Sequence, residues 1–546
     1  MRAGQRGRSA AVALLAAGSV ALSGLVVAPG AAAAPTSGTA AVTSVAATVA
    51  NEDVTVKVAA NGSVQFMLPE DVFRSTQRVM LFIDGNYNGE TYNGRAYGLT
   101  PKVANGIATL TRAAAKGAKP GQLVEVAYVT GRPGFTPRYD GANVVASQLA
   151  PGSNDLAVWK GQSRLTVVPR GDANTDRIRE NRWLQHNTLN PVGRYVTQGE
   201  TFTVQVPAGV SMRIGIGQYG NYPGINGGET TKFDWHTITG TTTVTAGADG
   251  MINLVNEGTK PVFSIVYGGT PVPTFTLGKT TEAAFQYDLD RWKTAPLVLV
   301  QGERTVGVFQ RATIDRFGLT TQNVWNWDDV VNRTDAFAGL STTEAGLHHR
   351  SAARIYIANP LTGAGGASAT HGRVTFQSSQ PAAKKLFGPE TGMWGFFHEV
   401  GHTYQVPQYM WKGTSEITVN ISADIIQMDL GGPSTIENPK HQAAIADYLA
   451  MPESERDFNT SPSGARYAMF FGLTDAYGSE FYTKLNRVYR EQAAAGTTGA
   501  TDTASRQQHF MVTAGQVAQR NLTSYFQKWG LKPDAATRAA LAKYPS

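Results

Sequence analysis

Short segments in which apolar and polar residues alternate dominate the chain from residue 54 onward. Alternation with a period of two is typical of strands with one buried face. Gly, Asn and Pro separate the segments, which favours tight turns between antiparallel strands. The pattern predicts an accessory β-sandwich domain over residues 51–168. Its clearest strands are residues 54–58, 63–66, 79–83 and 123–128.

A second group of alternating segments follows, and helical spacing replaces it further along the chain. The alternation predicts a β-rich lobe over about residues 190–287, whose clearest strands are 201–206, 211–216 and 261–266. From about 288 to 545, apolar residues recur mainly at helical spacing, with one further strand expected at 354–357. The expected fold class is α+β multidomain, with a β-sandwich, a β-rich lobe and a mainly α-helical part.

One apolar helical stretch, residues 393–405, carries the clearest chemical signal in the chain. It reads MWGFFHEVGHTYQ and contains an H-E-x-x-H motif at His398, Glu399 and His402. Residues four apart lie on the same face of a helix, so both imidazoles can reach one metal ion. Two histidines and a glutamate in so apolar a helix would be costly without a function. The stretch therefore predicts a zinc site, with Glu399 as the general base for a zinc-bound water.

A third protein ligand is required, because catalytic zinc keeps three protein ligands and one open position. Glutamines stand where a metzincin would have glycine and histidine, so that class is excluded. The next glutamate is Glu416, and Asn420 and Asp424 follow it at helical spacing. We predict Glu416 as the third ligand, with Asn420 and Asp424 as polar groups that orient the histidines. The same stretch is also a good strand sequence, but Thr414 or Ser415 as N-cap favours a helix.

The segment between the two metal-binding stretches carries two aromatic residues, Tyr409 and Trp411. Residues 406–413 must lie near the metal, and aromatic faces suit the apolar face of a sugar ring. Tyr409 and Trp411 are therefore predicted at a substrate cleft. The alternative, equally compatible with the sequence, is that Trp411 fills the gap between the two helices.

A glycine-rich stretch, residues 361–372, precedes the motif. It lacks the Lys-Ser/Thr ending of a phosphate-binding loop, and we predict a flexible flap beside the cleft. Residues 373–376 are expected to form an edge strand that pairs with the backbone of a bound polypeptide.

The N-terminal segment has the composition of a targeting sequence. Three arginines precede an Ala/Val/Leu-rich run, and three alanines at 32–34 offer a cleavage site, so residues 1–34 are predicted as a signal peptide. The alternative is a membrane anchor, but glycines and serines interrupt the run. Residues 35–50 are predicted as a linker, and the mature protein is expected to be secreted and extracellular, with no membrane span.

Composition narrows the remaining function classes. Removing residues 1–34 from the 546-residue chain leaves 512, too many for one core. The net charge of +7 includes the three leader arginines, and the rest, spread over the mature chain, predicts no nucleic-acid partner. The chain has no cysteine, which excludes disulfides and thiolate ligands. A zinc site must therefore use histidine and carboxylate.

The motif and its surroundings resemble the enhancin-like zinc metallopeptidases, peptidase family M60. The resemblance rests on the run W-G-x-x-H-E-V-G-H-T-Y-Q, on a following tryptophan, and on a glutamate followed by I-T-V-N-I. Softer matches at residues 193–204 and 521–530 extend it over about residues 187–545. The family implies a gluzincin-type catalytic domain there, with zinc held at the positions of His398, His402 and Glu416. It also implies secretion and, in several branches, attack on mucin-like O-glycoproteins.

Two functions of different class are compatible with the sequence. The first is a secreted zinc endopeptidase that hydrolyses extended, O-glycosylated polypeptides such as mucin, with glycan contact near the cleft. The second is a glycan- or surface-binding adhesin on an inactive peptidase scaffold. Inactive copies typically lose the glutamate or a ligand, whereas all four residues are intact here, which favours the enzyme.

Overall fold

A computed structural model describes the chain over most of its length. The described residues are 54–76, 78–119, 122–129, 144–149, 157–158, 161–222, 233–362, 365–378 and 381–546. The predicted signal peptide and linker lie outside these residues. Over the described residues no helix is both long and apolar enough to cross a membrane.

The N-terminal region contains two antiparallel sheets with one shared core. Val64, Phe66 and Leu68 alternate with more exposed residues along one strand, and they pack against Leu81 and Val126 of the other sheet. The strand orders are β1-β2-β7-β6 and β5-β4-β3-β8-β9. The elements are β1 Thr55–Val58, β2 Val64–Pro69, α1 Glu70–Arg74, β3 Arg78–Ile83, β4 Asn86–Tyr92, β5 Arg95–Tyr97, β6 Thr100–Ala104, β7 Ile107–Arg112, β8 Leu123–Val129 and β9 Val144–Leu149.

A second pair of five-stranded antiparallel sheets follows, with its own core of Val, Ile and Leu side chains. The orders are β10-β11-β18-β13-β16 and β15-β14-β17-β12-β19. The elements are β10 Ala157–Val158, β11 Gln162–Val167, α2 Ala173–Arg179, β12 Asn190–Val196, β13 Thr201–Gln205, β14 Ser211–Ile216, β15 Asp234–Thr239, β16 Thr241–Thr245, β17 Gly250–Val255, β18 Val262–Tyr267 and β19 Thr270–Pro271.

The strand β11 corrects the sequence-based assignment of the first domain. The alternation places Gln162–Val167 at the end of the first sandwich, but this strand pairs with β18, with Leu165 opposite Ser264. It therefore belongs to the second sandwich. Alternation identifies a strand but not its partner, which long-range pairing decides.

A six-stranded mixed sheet lies between the second sandwich and the helices. Its order is β20-β21-β22-β23-β25-β24. The elements of this part are β20 Thr274–Thr276, α3 Glu282–Arg291, β21 Leu297–Gln301, β22 Thr305–Gln310, α4 Arg311–Phe317, α5 Thr321–Phe337, β23 Ile355–Ala358, β24 Ala367–Thr370 and β25 Arg373–Phe376. The region predicted as mainly helical thus begins with a sheet. Strands β21 and β22 are almost wholly buried on both faces, so they lack the alternation that marks a half-exposed strand.

The edge of this sheet also differs from the expectation. The predicted edge strand, β25, lies between β23 and β24. The outer position belongs to β24. This strand is formed by part of the stretch that was predicted as a glycine-rich flap. Residues 371–372 make the tight turn between the two strands, and Gly372 adopts a φ of +80° that favours glycine.

The remaining chain is helical, as predicted, which together with the β-rich N-terminal half confirms the α+β class in outline. The helices are α6 Trp394–Tyr404, α7 Ser415–Asp429, α8 Pro439–Ala450, α9 Ser463–Tyr477, α10 Glu480–Ala494, α11 Thr503–Ala518, α12 Thr523–Lys528 and α13 Ala535–Leu541. Phe396, Phe397 and Val400 of α6 share one core with the sheet and α5. Gly401 lets α7 approach α6 closely, because a Cβ there would lie 2.8 Å from Ser422 Oγ.

Candidate metal centre

Helices α6 and α7 bring three ligand atoms together. His398 and His402 lie one turn apart on α6, and Glu416 is in the first turn of α7. His398 Nε2 lies 3.1 Å from His402 Nε2 and 3.2 Å from Glu416 Oε2. His402 Nε2 lies 3.5 Å from the same carboxylate oxygen. Among the described residues these three form the one cluster suited to holding a metal ion.

The spacing and chemistry of these atoms fit a zinc ion. Ligands at the usual zinc distances in a tetrahedron are about 3.3 Å apart, close to the three separations observed. The Glu416 side chain remains 73% exposed, whereas the histidines are mostly buried. The cluster is therefore open to solvent on the Glu416 side, where a fourth ligand can enter.

Two amide side chains set the orientation of the histidine rings. His398 Nδ1 is 2.8 Å from Asn420 Oδ1, and His402 Nδ1 is 2.8 Å from Gln405 Oε1. An Nδ1–H that donates to an amide oxygen leaves Nε2 unprotonated, as a metal ligand requires. Asn420 thus occupies the orienting position that we predicted. Gln405 has the same function for the second histidine.

Gln405 is a residue that the sequence analysis missed. It follows α6 directly, and its amide nitrogen donates to Ser415 O at 2.7 Å and to Thr418 Oγ1 at 2.8 Å. These bonds connect the end of α6 to the first turn of α7. A signal was available, since Gln405 lies three residues after His402, within reach of its ring.

Glu399 is held in an environment that favours its protonated form. The residue is 7% exposed. Burial and, to a smaller extent, the nearby Glu416 carboxylate raise the pKa of its carboxyl to about 8, although Lys385 opposes the increase. A carboxylate with a raised pKa beside a metal centre is suited to accept a proton and to return it later in a reaction. Lys385 is exposed and was not singled out from the sequence.

Asp424 lies away from the metal cluster, contrary to the prediction. Its buried carboxylate accepts hydrogen bonds from Ser434 Oγ, from the backbone N–H of Thr435 and from Tyr467 Oη. It thus joins α7 to α9 and to the loop after α7. Asp424 is two turns from Glu416, and only the first of these turns reaches the histidines.

Tyr409 and Trp411 are core residues, and their prediction as cleft residues was wrong. Trp411 is 3% exposed and its ring packs against Phe458, Phe470 and Phe510. The Tyr409 hydroxyl donates to Asn486 Oδ1 at 2.9 Å. Both side chains point into the helical core, because the short connection between α6 and α7 is covered by α9, α10 and α11. Trp411 is thus a packing residue, but it packs against α9, α11 and the loop before α9, and does not fill the gap between α6 and α7 that the alternative proposed.

A buried polar network holds the C-terminal end of α6. Tyr404 Oη donates to Asp335 of α5 at 2.7 Å, and Arg304 pairs with the same carboxylate at 2.9 Å. His186 Nε2 lies 3.0 Å from Thr403 Oγ1. These partners come from three distant parts of the chain, so no local sequence signal indicates them.

Two histidines one turn apart, a carboxylate beside them and a further carboxylate from the next helix are the arrangement expected of a metallopeptidase centre. Residues 268–530 match the family described as Peptidase M60, enhancin and enhancin-like. The chain carries a domain of this family, and the resemblance noted from the sequence is confirmed. No curated protein matches the chain in sequence.

Solved structures share the fold. A functionally unknown conserved protein from Bacillus anthracis str. Ames is 24% identical, with a TM-score of 0.63, covering 70% of this chain and 79% of its own. A metallopeptidase in complex with Tn antigen is 17% identical, with a TM-score of 0.60 and coverage of 70% and 78%. The M60 catalytic domain of Clostridium perfringens ZmpC, in complex with the sialyl T antigen, is 18% identical, with a TM-score of 0.59 and coverage of 70% and 80%.

Proposed function

We propose that the protein is a secreted zinc endopeptidase that cleaves extended, O-glycosylated polypeptides of the mucin type. The observation that carries this proposal is the convergence of His398, His402 and Glu416 within hydrogen-bonding distances, with the Glu399 carboxylate on the same helix. When bound, zinc would polarise a scissile carbonyl and lower the pKa of a water molecule.

The residues of the chain have separate roles in this proposal. His398, His402 and Glu416 hold the metal, and Asn420 and Gln405 fix the ring orientations. Glu399 accepts a proton from the attacking water and passes it to the amine of the leaving peptide. The proton balance closes, because the residue ends the cycle in the state in which it began.

The proposed substrate is extended because strand β24 offers a free edge next to the helix with the motif. Helix α6 packs against this strand, and the outer edge of β24 has no strand partner in the described part of the chain. A polypeptide that adds to this edge as a further strand would lie along the motif helix. Backbone that is already paired within the fold of another protein is not free to add to this edge.

The glycan part of the proposal is supported by the relatives. Two metallopeptidases of the same fold were solved with the Tn antigen and with the sialyl T antigen, respectively. We place the glycan contact outside Tyr409 and Trp411, since both are buried. Export is supported by the predicted signal peptide at residues 1–34, and sequencing of the exported protein should give an N-terminus near Pro35.

The test compares wild type with Glu399→Gln on an O-glycosylated mucin peptide and on its unglycosylated counterpart. We expect about one zinc per chain in both proteins. Loss of the general base should reduce turnover by about 10²–10⁴-fold without removing the metal. A variant that cleaves at the wild-type rate would contradict the role of Glu399.

The two peptides test the substrate class separately. We expect wild type to cleave the glycosylated peptide faster. Faster cleavage of the bare peptide would contradict the preference for glycosylated substrates and would indicate a general secreted endopeptidase. A zinc-loaded wild type that binds the glycopeptide and cleaves neither peptide would support the adhesin instead.

A further inference from the structure

A cavity of about 510 Å³ lies between the second sandwich and the mixed sheet. Residues of β11 and β12, the β21–β22 turn and the residue before β23 form its wall, and none of the three candidate metal ligands is among them. This volume is within the range of pockets that bind small molecules. The cavity therefore shares no lining residue with the candidate metal ligands, and its function has to be considered separately.

Arg354, on the wall of the cavity, is a buried cation that has no carboxylate partner among the residues that the structure describes. It is 2% exposed. One terminal nitrogen donates to Gln301 Oε1 at 3.2 Å and the other to Leu189 O at 3.2 Å. Its Nε is buried and has no hydrogen-bond partner among the described residues. An arginine keeps its charge in proteins, so this site contains an uncompensated positive charge.

A second guanidinium of the wall, Arg170, is also without a carboxylate partner in the described structure. Its Nε donates to Asn190 Oδ1 at 2.9 Å and one terminal nitrogen donates to Ala352 O at 3.0 Å. Burial lowers the pKa of Arg354 well below its ordinary value, and the charge of Arg170 lowers it further. A buried guanidinium with a second guanidinium on the same cavity wall favours the binding of an anion.

The acidic residues nearby do not neutralise this pair. Asp328 influences Arg354 electrostatically, but its oxygens accept hydrogen bonds from Glu303 N, Arg304 N and Thr305 Oγ1. Glu303 lines the cavity, yet its side chain is 76% exposed and pairs with Arg350 at 3.2 Å. The positive charge of the cavity thus remains available to a ligand.

The remaining wall indicates a ligand larger than a simple ion. Thr276 Oγ1 is a second buried polar atom without a partner among the described residues, and Thr276 lines the cavity. Leu165, Pro191 and Leu277 supply apolar surface. A sulfate ion would fill only a small part of the volume and would leave the apolar side without a contact.

We propose that this cavity binds a sugar acid, whose carboxylate pairs with Arg170 and Arg354 while a hydroxyl group reaches Thr276 and the ring packs on the apolar side. The shared chemistry is a carboxylate on a pyranose ring, either as a free sugar acid or as the end of a glycan.

The test is isothermal titration calorimetry of the full mature protein with sodium D-glucuronate, D-glucose and sodium sulfate. Glucuronate should bind at least about tenfold more tightly than the other two, because only it combines the charge with the ring. Arg170→Gln should weaken glucuronate binding about tenfold or more, and Thr276→Val should also weaken it. Arg520→Gln, which removes an exposed arginine outside the cavity wall, is the matched control and should leave the affinity unchanged.

Several outcomes would overturn the proposal. They are unchanged affinity in Arg170→Gln, equal affinity for sulfate, and equal affinity for glucose. Glu416→Ala, which lacks a metal ligand, should retain glucuronate binding; loss there would show that the ligand binds at the metal centre. Methyl β-D-glucuronide distinguishes the two possible ligands. If it binds, the cavity accepts the end of a glycan; if only the free acid binds, the ligand is a free sugar acid.

Discussion

At the scale of single residues, the metal centre depends on the direction of a few ring nitrogens and carboxylate oxygens. His398 and His402 converge through Nε2 because amide oxygens of Asn420 and Gln405 accept from their Nδ1 atoms. The rings are therefore oriented before a metal binds. Gln405 adds a connection to α7, so its loss should affect the centre without removing a ligand.

Replacement of Gln405 by alanine should weaken zinc binding by about 10–100-fold, the usual effect of losing a partner that orients a metal-bound histidine. The matched control is Gln408→Ala. Gln408 is also buried, but among the described residues its side chain exchanges hydrogen bonds with Asn181 alone. Competition with a chelating dye measures both affinities. Equal zinc affinity in the two variants would show that Gln405 does not orient His402.

At the scale of elements, the centre relies on α6 being fixed between neighbours. The sheet and α5 cover one side, and α7 covers another, with Ala423 and Ile426 in the same core as the apolar face of α6. The connection from α6 to α7 is fixed in a different core, by Tyr409 and Trp411. Mutations in either core should weaken metal binding, because they shift the helix that carries a ligand.

Substitution of Trp411 by alanine should reduce the free energy of unfolding by about 3–5 kcal/mol, the usual cost of truncating a buried aromatic side chain. Trp325→Ala is the control, since Trp325 is 49% exposed on α5 and should cost well under about 1 kcal/mol. Urea denaturation measures both values. A Trp411→Ala protein of wild-type stability with changed glycopeptide preference would restore the cleft assignment.

His186 makes the support of α6 sensitive to acid. Burial lowers the pKa of His186 well below its ordinary value, and Arg182 and Arg304 lower it further. Below about pH 6.5 the unfolded chain binds a proton at this residue that the folded protein does not bind. The free energy of unfolding therefore decreases as the pH is lowered. The loss of stability from this residue grows as the pH falls from 7 to 5.5.

The prediction for His186→Gln is a shallower loss of stability over that pH interval, measured by urea denaturation of the metal-free protein. The variant itself should be less stable at pH 7, since the contact with Thr403 changes. The same pH dependence in both proteins would show that His186 is not the group responsible.

At the scale of the whole molecule, the centre is confined to the part of the chain after the first sandwich. The first sandwich has its own core, which shares no residue with the core that contains α6. The second sandwich is different, because residues near its strands contact the end of α6. The backbone N–H of Trp183, for instance, donates to Gln405 O at 2.8 Å.

A chain that begins at residue 157 should therefore retain zinc binding and cleavage of a short unglycosylated peptide within about twofold of the full mature protein. Metal analysis and peptide turnover measure this. A tenfold loss of either would assign the first sandwich a part in building the centre. Further removal of residues 157–196 should abolish zinc binding, because it takes away Trp183 and His186.

The sequence by itself predicted the three candidate ligands that the structure brings together, and it determined the class of the domain. His398, Glu399 and His402 lie within about one helical turn, so helical periodicity is sufficient to place them together on one helix. The approach of Glu416 to the two histidines depends on the packing of α7 against α6. The family resemblance rests on the same local run and is confirmed by the match over residues 268–530. The motif and the resemblance depend on residues that are close together in the chain, so they can be read from the sequence alone.

The tertiary structure decided which strands pair, which aromatic residues are buried, and what supports α6. Strand β11 joins the second sandwich, and Ala367–Thr370 takes the sheet edge predicted for residues 373–376. Trp411 lies in the helical core, and Asp424 binds Ser434 and Tyr467 instead of orienting a histidine. Each outcome depends on contacts between residues far apart in sequence, where the free energy of packing selects among partners that local patterns leave equivalent.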